Sequence, residues 1–324
     1  MTVQATIPSS KGGTAWRVTK KVLGVVVVIV GVTFISFLLS YLSPTDAATQ
    51  YFSEMGYAPT ANELAAKRAE LGLDQPFIVQ YGKWILGLLH GDLGTSLRNG
   101  TSVFESLMEA LPYTLALTGA ATLLSLVVSI PLGLLCAYRK DGAIDNILRA
   151  FTYVFYSMPG FFISLMLLYI LAVKLHWFRV TATPDFSGMV MPTLALSIPL
   201  SGWYIRQIRT IALEQLGSGY TDGLRSRGLP ERTILFKHVL RNSLVPIIAL
   251  VGVSVGSLLG GSAIVESIFS WPGVGCLSVE AISGRDYAVV EGYALLMAIV
   301  YLVVNALVDL FSRIADPRIS KEAR

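Results

Sequence analysis

Residues 220–246 read YTDGLRSRGLPERTILFKHVLRNSLVP and set Arg225, Arg227, Arg232, Lys237 and Arg241 between two long apolar runs. The stretch divides at Gly228. Residues 220–227 form a short helix candidate. Beyond the glycine, Pro230 suits a first helical position and Glu231 suits the positive end of a helix dipole. Phe236, Leu240 and Leu244 then recur at four-residue spacing, with Lys237 and Arg241 on the neighbouring stripe. The pattern is helix, glycine turn, helix, the second helix running into apolar sequence. A short helix held by a tight turn has the form of a rigid knob for a partner's groove, and its orientation passes to the segments on both sides.

Those flanking segments set the class. The 324 residues are 53% hydrophobic and only 14% charged, against about 25% charged in ordinary soluble domains. A helix needs about 20 apolar residues to cross the hydrocarbon core. Six blocks qualify, at 22–42, 113–137, 151–173, 189–208, 244–268 and 292–312. Pro192 and Pro199 interrupt the fourth, which membrane helices tolerate where neighbours satisfy the freed carbonyls. The first block is too long for a signal-peptide core, and no small-residue cleavage site follows Tyr41-Leu42-Ser43-Pro44, so it is expected to be a retained anchor.

Charge orients the spans. Lys11, Arg17, Lys20 and Lys21 precede the first block without an acid, which places the N-terminus in the cytoplasm, and six spans return the C-terminus there. The connection from Arg206 to Arg241 has seven basic and three acidic residues, whereas residues 44–110 have four basic and eight acidic. The connection between spans five and six, with Glu266, Glu280, Arg285, Asp286 and Glu291, is also acidic and falls outside. The expectation is an all-α membrane protein of about six transmembrane helices with a helical extracytoplasmic loop after the first. Its parts are a cytoplasmic segment 1–21 (residues 1–15 expected to be disordered), a first span 22–43, the loop 44–110, a five-helix core 111–314 containing a cytoplasmic loop 209–243, and a cytoplasmic tail 315–324. Cys136 and Cys276 fall on opposite membrane faces, so no disulfide joins them.

The outside loop has structure of its own. Thr60 and Glu63 have capping-box spacing, and the helix they open stops at Gly72. A second helix starts near Pro76, with Phe77, Tyr81, Trp84, Ile85 and Leu88 at helical spacing. That stripe fits a helix lying in the membrane interface and equally one packed on the ends of the spans.

Chemistry is absent where an enzyme or a self-powered carrier would hold it. There is no phosphate-binding G-x-x-x-x-G-K-[ST] loop, and His90, His176 and His238 have no metal-ligand spacing. Neither H-E-x-x-H nor G-x-S-x-G occurs, so no catalytic or metal residue is assigned. Ionisable residues within the spans are scarce, and Glu266 and Asp309 read as interfacial charges near span ends. An ion- or proton-coupled secondary transporter, the competing reading, holds such groups at membrane depth. No internal repeat is evident, which counts against a carrier built from inverted halves. The net charge of +4 points to no nucleic acid. The chain has spans for transport and no energy source of its own.

Arg227-Gly228-Leu229, His238-Val239-Leu240-Arg241-Asn242 and Pro246 resemble the EAA loop of permease subunits of binding-protein-dependent ABC importers, in its dipeptide, oligopeptide and nickel form. Asp222-Gly223-Leu224 departs from that pattern, standing where Glu-Ala-Ala would be. GLDQPFIVQYGKW (72–84), HGDLGTS (90–96), ESIFSWPGVG (266–275), RDY (285–287) and DPRI (316–319) are similar to other segments of these permeases, so the resemblance spans residues 20–319. It implies a type I ABC importer permease-like fold and half of a translocation pathway for peptides or a nickel-type metal or chelate, the wording leaning slightly toward nickel. The implied partners are a second homologous permease, two ABC ATPase subunits that bind ATP and Mg and carry out the hydrolysis, an extracytoplasmic solute-binding protein, and membrane lipid. The chain itself is then non-catalytic and binds no cofactor. Tyr220, Asp222, Gly223, Leu224, Arg225, Arg227, Gly228, Leu229 and Glu231 are the residues expected to couple to the ATPases.

The path is less well marked. Gly252, Gly256 and Gly260, with Ser254 and Ser257 between them, allow close helix approach and suit a pore-lining or subunit-facing helix, as they suit ordinary membrane packing. Ser157, Met158 and Pro159 should kink the third span, as a gate hinge or a static bend.

Overall fold

The computed structural model describes residues 14–315, which are helical apart from turns and short connections. Residues 1–13, most of the tail and the DPRI segment lie outside the described residues; Thr14 and Ala15, expected in the disordered leader, already belong to the first helix. In chain order the helices are α1 (Thr14–Tyr41), α2 (Ala47–Glu54), α3 (Ala61–Glu70), α4 (Phe77–Leu89), α5 (Val103–Tyr138), α6 (Ala143–Ser157), α7 (Gly160–Leu167, continued by π-helical turns Leu168–Lys174) and α8 (Phe186–Leu216). The rest are α9 (Gly219–Ser226), α10 (Glu231–Thr233, running through a π-helical segment Ile234–Val239), α11 (Leu240–Phe269), α12 (Val274–Ser283) and α13 (Tyr287–Ala315).

Five of these are long and apolar enough to cross a membrane, and α6 with α7 makes a sixth if the bent pair counts as one span. The kink expected in the third span is a 97° corner. Proline explains it: Pro159 has no N–H to continue α6, and the residue before a proline is pushed out of the helical region. Met158 accordingly has φ −76° and ψ 129°, and α7 restarts at Gly160. Several helices begin outside the apolar blocks, because capping groups rather than oiliness set a helix end. Ser102 opens α5 at Val103, about two turns inside the expected outer loop, and the Asp185 carboxylate accepts from Gly188 N at 2.8 Å to open α8.

The packing order follows from small residues. Gly133 of α5 lets Ile205 and Ile208 of α8 approach, an added Cβ falling 3.1 Å from the Ile205 carbonyl oxygen. Gly202 of α8 seats the backbone of α6, with 3.0 Å to the Thr152 oxygen. Ser125 and Ser129 donate across to the carbonyls of Ser197 and Ser201 at 3.2 and 3.1 Å, the interhelical hydrogen bonding that membrane helices use in place of hydrophobic drive. The main core joins Leu117, Met191, Tyr204, Ile247, Phe269 and Trp271. α11 and α13 run antiparallel, Gly252 against Val308 and Gly256 against Tyr301. Lys21 and Asp309 pair at 2.9 Å, bringing the start of α1 to the end of α13.

At that same end, Arg209 of α8 grips Asp145 of α6 with both arms, Nε to Oδ1 at 2.7 Å and Nη2 to Oδ2 at 2.6 Å. The Asp145 side chain is fully buried and also accepts from Asp141 N at 2.9 Å. Arg209, one of the seven basic residues counted from Arg206 to Arg241, is thus a half-buried clamp between helices.

The opposite end carries α2–α4 and α12. The capping box at Thr60 and Glu63 is present. Of the two readings open for the aromatic stripe of α4, the structure takes packing on a span: Phe77, Tyr81 and Trp84 pack on Phe34, Phe37 and Tyr41 of α1. Ser96 donates to Asp286 at 2.5 Å and Gln50 Nε2 to the Gly284 carbonyl at 2.8 Å, tying the outer helices to the head of α13.

Glu266 is not the interfacial charge its position near a span end suggests. Its side chain is buried and accepts from Thr114 Oγ1 at 2.8 Å, Gly275 N at 2.8 Å and Cys276 N at 3.1 Å. One carboxylate thereby closes the first turn of α12 onto α5, which a negative group at a helix N-terminus favours. Gly275 is required for this approach, since a Cβ there would fall 2.5 Å from Ala263 Cα.

Two stability outcomes follow. Glu266→Ala orphans buried donors at about 1–3 kcal/mol each, so its thermal midpoint, read by thiol-dye access to buried Cys136, falls by several degrees; an unchanged midpoint contradicts this bonding. Asp145→Ala leaves the Arg209 guanidinium with only Asp141, 3.9 Å away, and costs about 1–3 kcal/mol, whereas Asp145→Leu with Arg209→Met recovers most of the loss, as apolar replacement of buried pairs does elsewhere. A single variant as stable as the parent refutes the clamp.

Candidate functional site

The 220–246 stretch folds as a short helix set at the foot of α8. Thr221, buried, donates its hydroxyl to Ser218 O at 2.6 Å and Leu216 O at 2.8 Å, stapling α9 to the end of α8. Gly228 N bonds Arg225 O at 2.8 Å and Leu229 N bonds Leu224 O at 3.3 Å. Those two bonds, around Gly228 at φ +78°, are a Schellman C-cap, and its usual apolar contact is supplied by Leu224 and Leu229 over Leu134, Ala212 and Ile234. Arg225 bridges the turn, donating to Glu231 Oε1 at 2.6 Å and Asp222 Oδ1 at 2.9 Å. The Glu231 carboxylate beside Arg225 holds its guanidinium above its usual pKa. Pro230 stands one position earlier than expected, at the cap, and Glu231 opens α10.

The expected coupling residues therefore separate into two faces. Leu224 and Leu229 turn inward beside the buried Thr221, while Tyr220, Asp222, Gly223, Arg227 and Gly228 stay exposed. Gly223 has open space beyond it, so the departure from Glu-Ala-Ala leaves a flat patch on the free face of α9. Arg225 and Glu231, both exposed, brace the knob across its turn.

The pathway candidates also separate. Ser254 and Ser257 line a cleft of about 630 Å³ with Pro159, Pro199 and Trp203. Ser254 meets the Tyr204 hydroxyl, and Ser257 donates to Ser254 O at 2.8 Å. Ser157 and Met158 line a second hollow of about 540 Å³ on the other side of the corner. Gly252 and Gly256 do not face the cleft; they are close-contact points for α13. Gly260 is open, on an exposed stripe of α11 with Val253, Ser257, Gly261 and Ile264 that no helix covers among the described residues. Nothing in the sequence pattern singles out Asp145; its partner lies 64 residues away, a separation at which no local spacing signals a pair.

The chain matches two family models: "Binding-protein-dependent transport system inner membrane component" over residues 129–321 and its membrane-component N-terminal region over residues 16–118. It is 33% identical to the probable peptide ABC transporter permease protein y4tP of Sinorhizobium fredii over 93% of this chain and 98% of that protein. Identity is also 33% to the oligopeptide transport system permease protein AppB of Bacillus subtilis, over 93% and 98% of the two chains. The dipeptide transport system permease protein DppB of Escherichia coli K12 is 33% identical over 92% and 96%. Among solved structures, an inward-facing conformation of the MetNI methionine ABC transporter is similar in fold, with a TM-score of 0.55 at 19% identity over 64% of this chain and 95% of that one. The helical core, the capped knob at its foot and matches over nearly the whole chain agree: this multi-pass membrane protein belongs to the binding-protein-dependent transport system inner membrane components, the permease subunits of ABC importers.

Proposed function

We propose that this chain forms half of the translocation pathway of an ATP-driven peptide importer and receives force through α9 from two ATPase subunits. The peptide substrate is supported by the names of the relatives, permeases for peptides, oligopeptides and dipeptides at 33% identity; a nickel-type ion draws no comparable support. The observation that carries the coupling role is the free face of Tyr220, Asp222, Gly223 and Arg227 on a helix whose other face is locked to α8 and packed on α5 and the π-helical segment after α10. ATP and Mg act in those ATPase partners, and a solute-binding protein delivers substrate to the α2–α4 end. The unpartnered α11 stripe, 70% exposed at Val253 and 54% at Ile264, suits a second, homologous permease across the path. The basic end, with both chain termini, faces the cytoplasm.

The test is uptake of a labelled peptide by the reconstituted importer. Deleting residues 222–229 removes ATP-driven uptake while the permease still inserts and pairs; uptake at the parent rate refutes coupling through α9. Gly228→Ala puts a Cβ on a left-handed residue at about 1–2 kcal/mol and lowers uptake several-fold. Gly228→Asn, which tolerates that conformation better, retains more. Equal, parental rates for both would show that the turn's geometry plays no part.

A further inference from the structure

Arg206 is on α8 one turn before the Asp145–Arg209 clamp, on the same stripe as Pro199 and Trp203, which line the larger cleft. Its guanidinium carbon stands 5.0 Å from the ring centroid of Tyr153 and 5.0 Å from that of Tyr156, both on α6, inside the roughly 6 Å reach of a cation–π contact. Tyr156 borders the larger cleft and Tyr153 the hollow beside the corner. Among the described residues the guanidinium has no carboxylate or carbonyl acceptor, whereas Arg209 is held by two bonds to Asp145. Aromatic rings hold a guanidinium by its faces and leave the in-plane donors available.

A peptide in the cleft passes Leu200, Val253 and Val265, and its carboxylate, stripped of water there, needs a cation and donors. The planar fork of arginine matches a carboxylate with two parallel bonds. We propose that Arg206, presented by Tyr153 and Tyr156 at the α9 end of the cleft, binds the carboxylate of the transported peptide as it moves toward the cytoplasm. This rests on the peptide reading above and names the contact that reading lacks.

The experiment compares uptake of one receptor-bound tripeptide and its C-terminal amide by the complete importer in phosphatidylcholine vesicles, each with saturating binding protein. Arg206→Gln is expected to lower free-acid uptake about tenfold, the loss of one charge-assisted contact, with amide uptake and receptor-stimulated ATP hydrolysis nearly unchanged. Arg206→Lys, which keeps charge without the fork, falls between. Equal loss for acid and amide, or loss of ATP hydrolysis in step, would assign Arg206 a structural role and overturn the proposal, as would no loss for either. Equal losses appearing only in anionic-lipid vesicles would make the ligand a lipid headgroup and overturn it too. Parent vesicles that import neither peptide would remove the peptide reading itself, and this proposal with it.

Discussion

The grip of Arg209 on Asp145 fixes what can move in this molecule. Both carboxylate oxygens are engaged at 2.7 and 2.6 Å, and the Asp145 side chain is fully buried. A buried pair of this kind contributes little net stability against an apolar alternative, so its effect is better sought in register. It holds α6 to α8 below the corner, where Gly202 already brings the two backbones together and Gly133 brings in α5. Thr221 staples α9 to the foot of the same unit. A displacement of the knob is therefore shared by α8 and the lower half of α6, and the chain's own discontinuity at Met158 and Pro159 is where the two halves of the third crossing part.

The far end is held by different chemistry. Glu266, Thr114 and the first turn of α12 form one buried polar knot, and Trp271 donates to the Tyr113 carbonyl at 3.1 Å to close it against α5. Between the knot and the clamp, apolar contacts are interleaved with single hydroxyls: Tyr204 meets Ser254, and Ser125 and Ser129 bond the backbone of α8. Two carboxylate-centred fasteners at the ends, with a cleft-bearing middle between them, suit a bundle whose ends keep their shape while the middle opens, which is how the proposed importer would use it.

Much of this was legible in the residues because it is local. Hydrophobic blocks located the crossings, Gly228 marked a C-cap that only a left-handed residue can make, and Thr60 with Glu63 marked a capping box. The corner was legible as a kink but not as 97°, because proline removes a bond without specifying the angle that packing then selects. Glu266 was misread because its acceptor role depends on Thr114, 152 residues distant, and hydropathy assigns a carboxylate near a span end to water. Gly252 and Gly256 carried a small-residue signal without direction: only the antiparallel α13 shows that their faces are packed while Gly260 is open. The pairing of Asp145 with Arg209 was hidden for the same reason as Glu266, a contact made only after the helices assemble.

In the proposed importer the free face of α9 meets the ATPase subunits and moves with them. A single cysteine at Gly223, with Cys136 and Cys276 replaced by serine, cross-linked in the full importer before and after ATP binding, reads that contact. The expected result is a cross-link to an ATPase subunit in both states, with the partnered ATPase residues staying the same as the helix travels. No cross-link to either ATPase in any nucleotide state would contradict it.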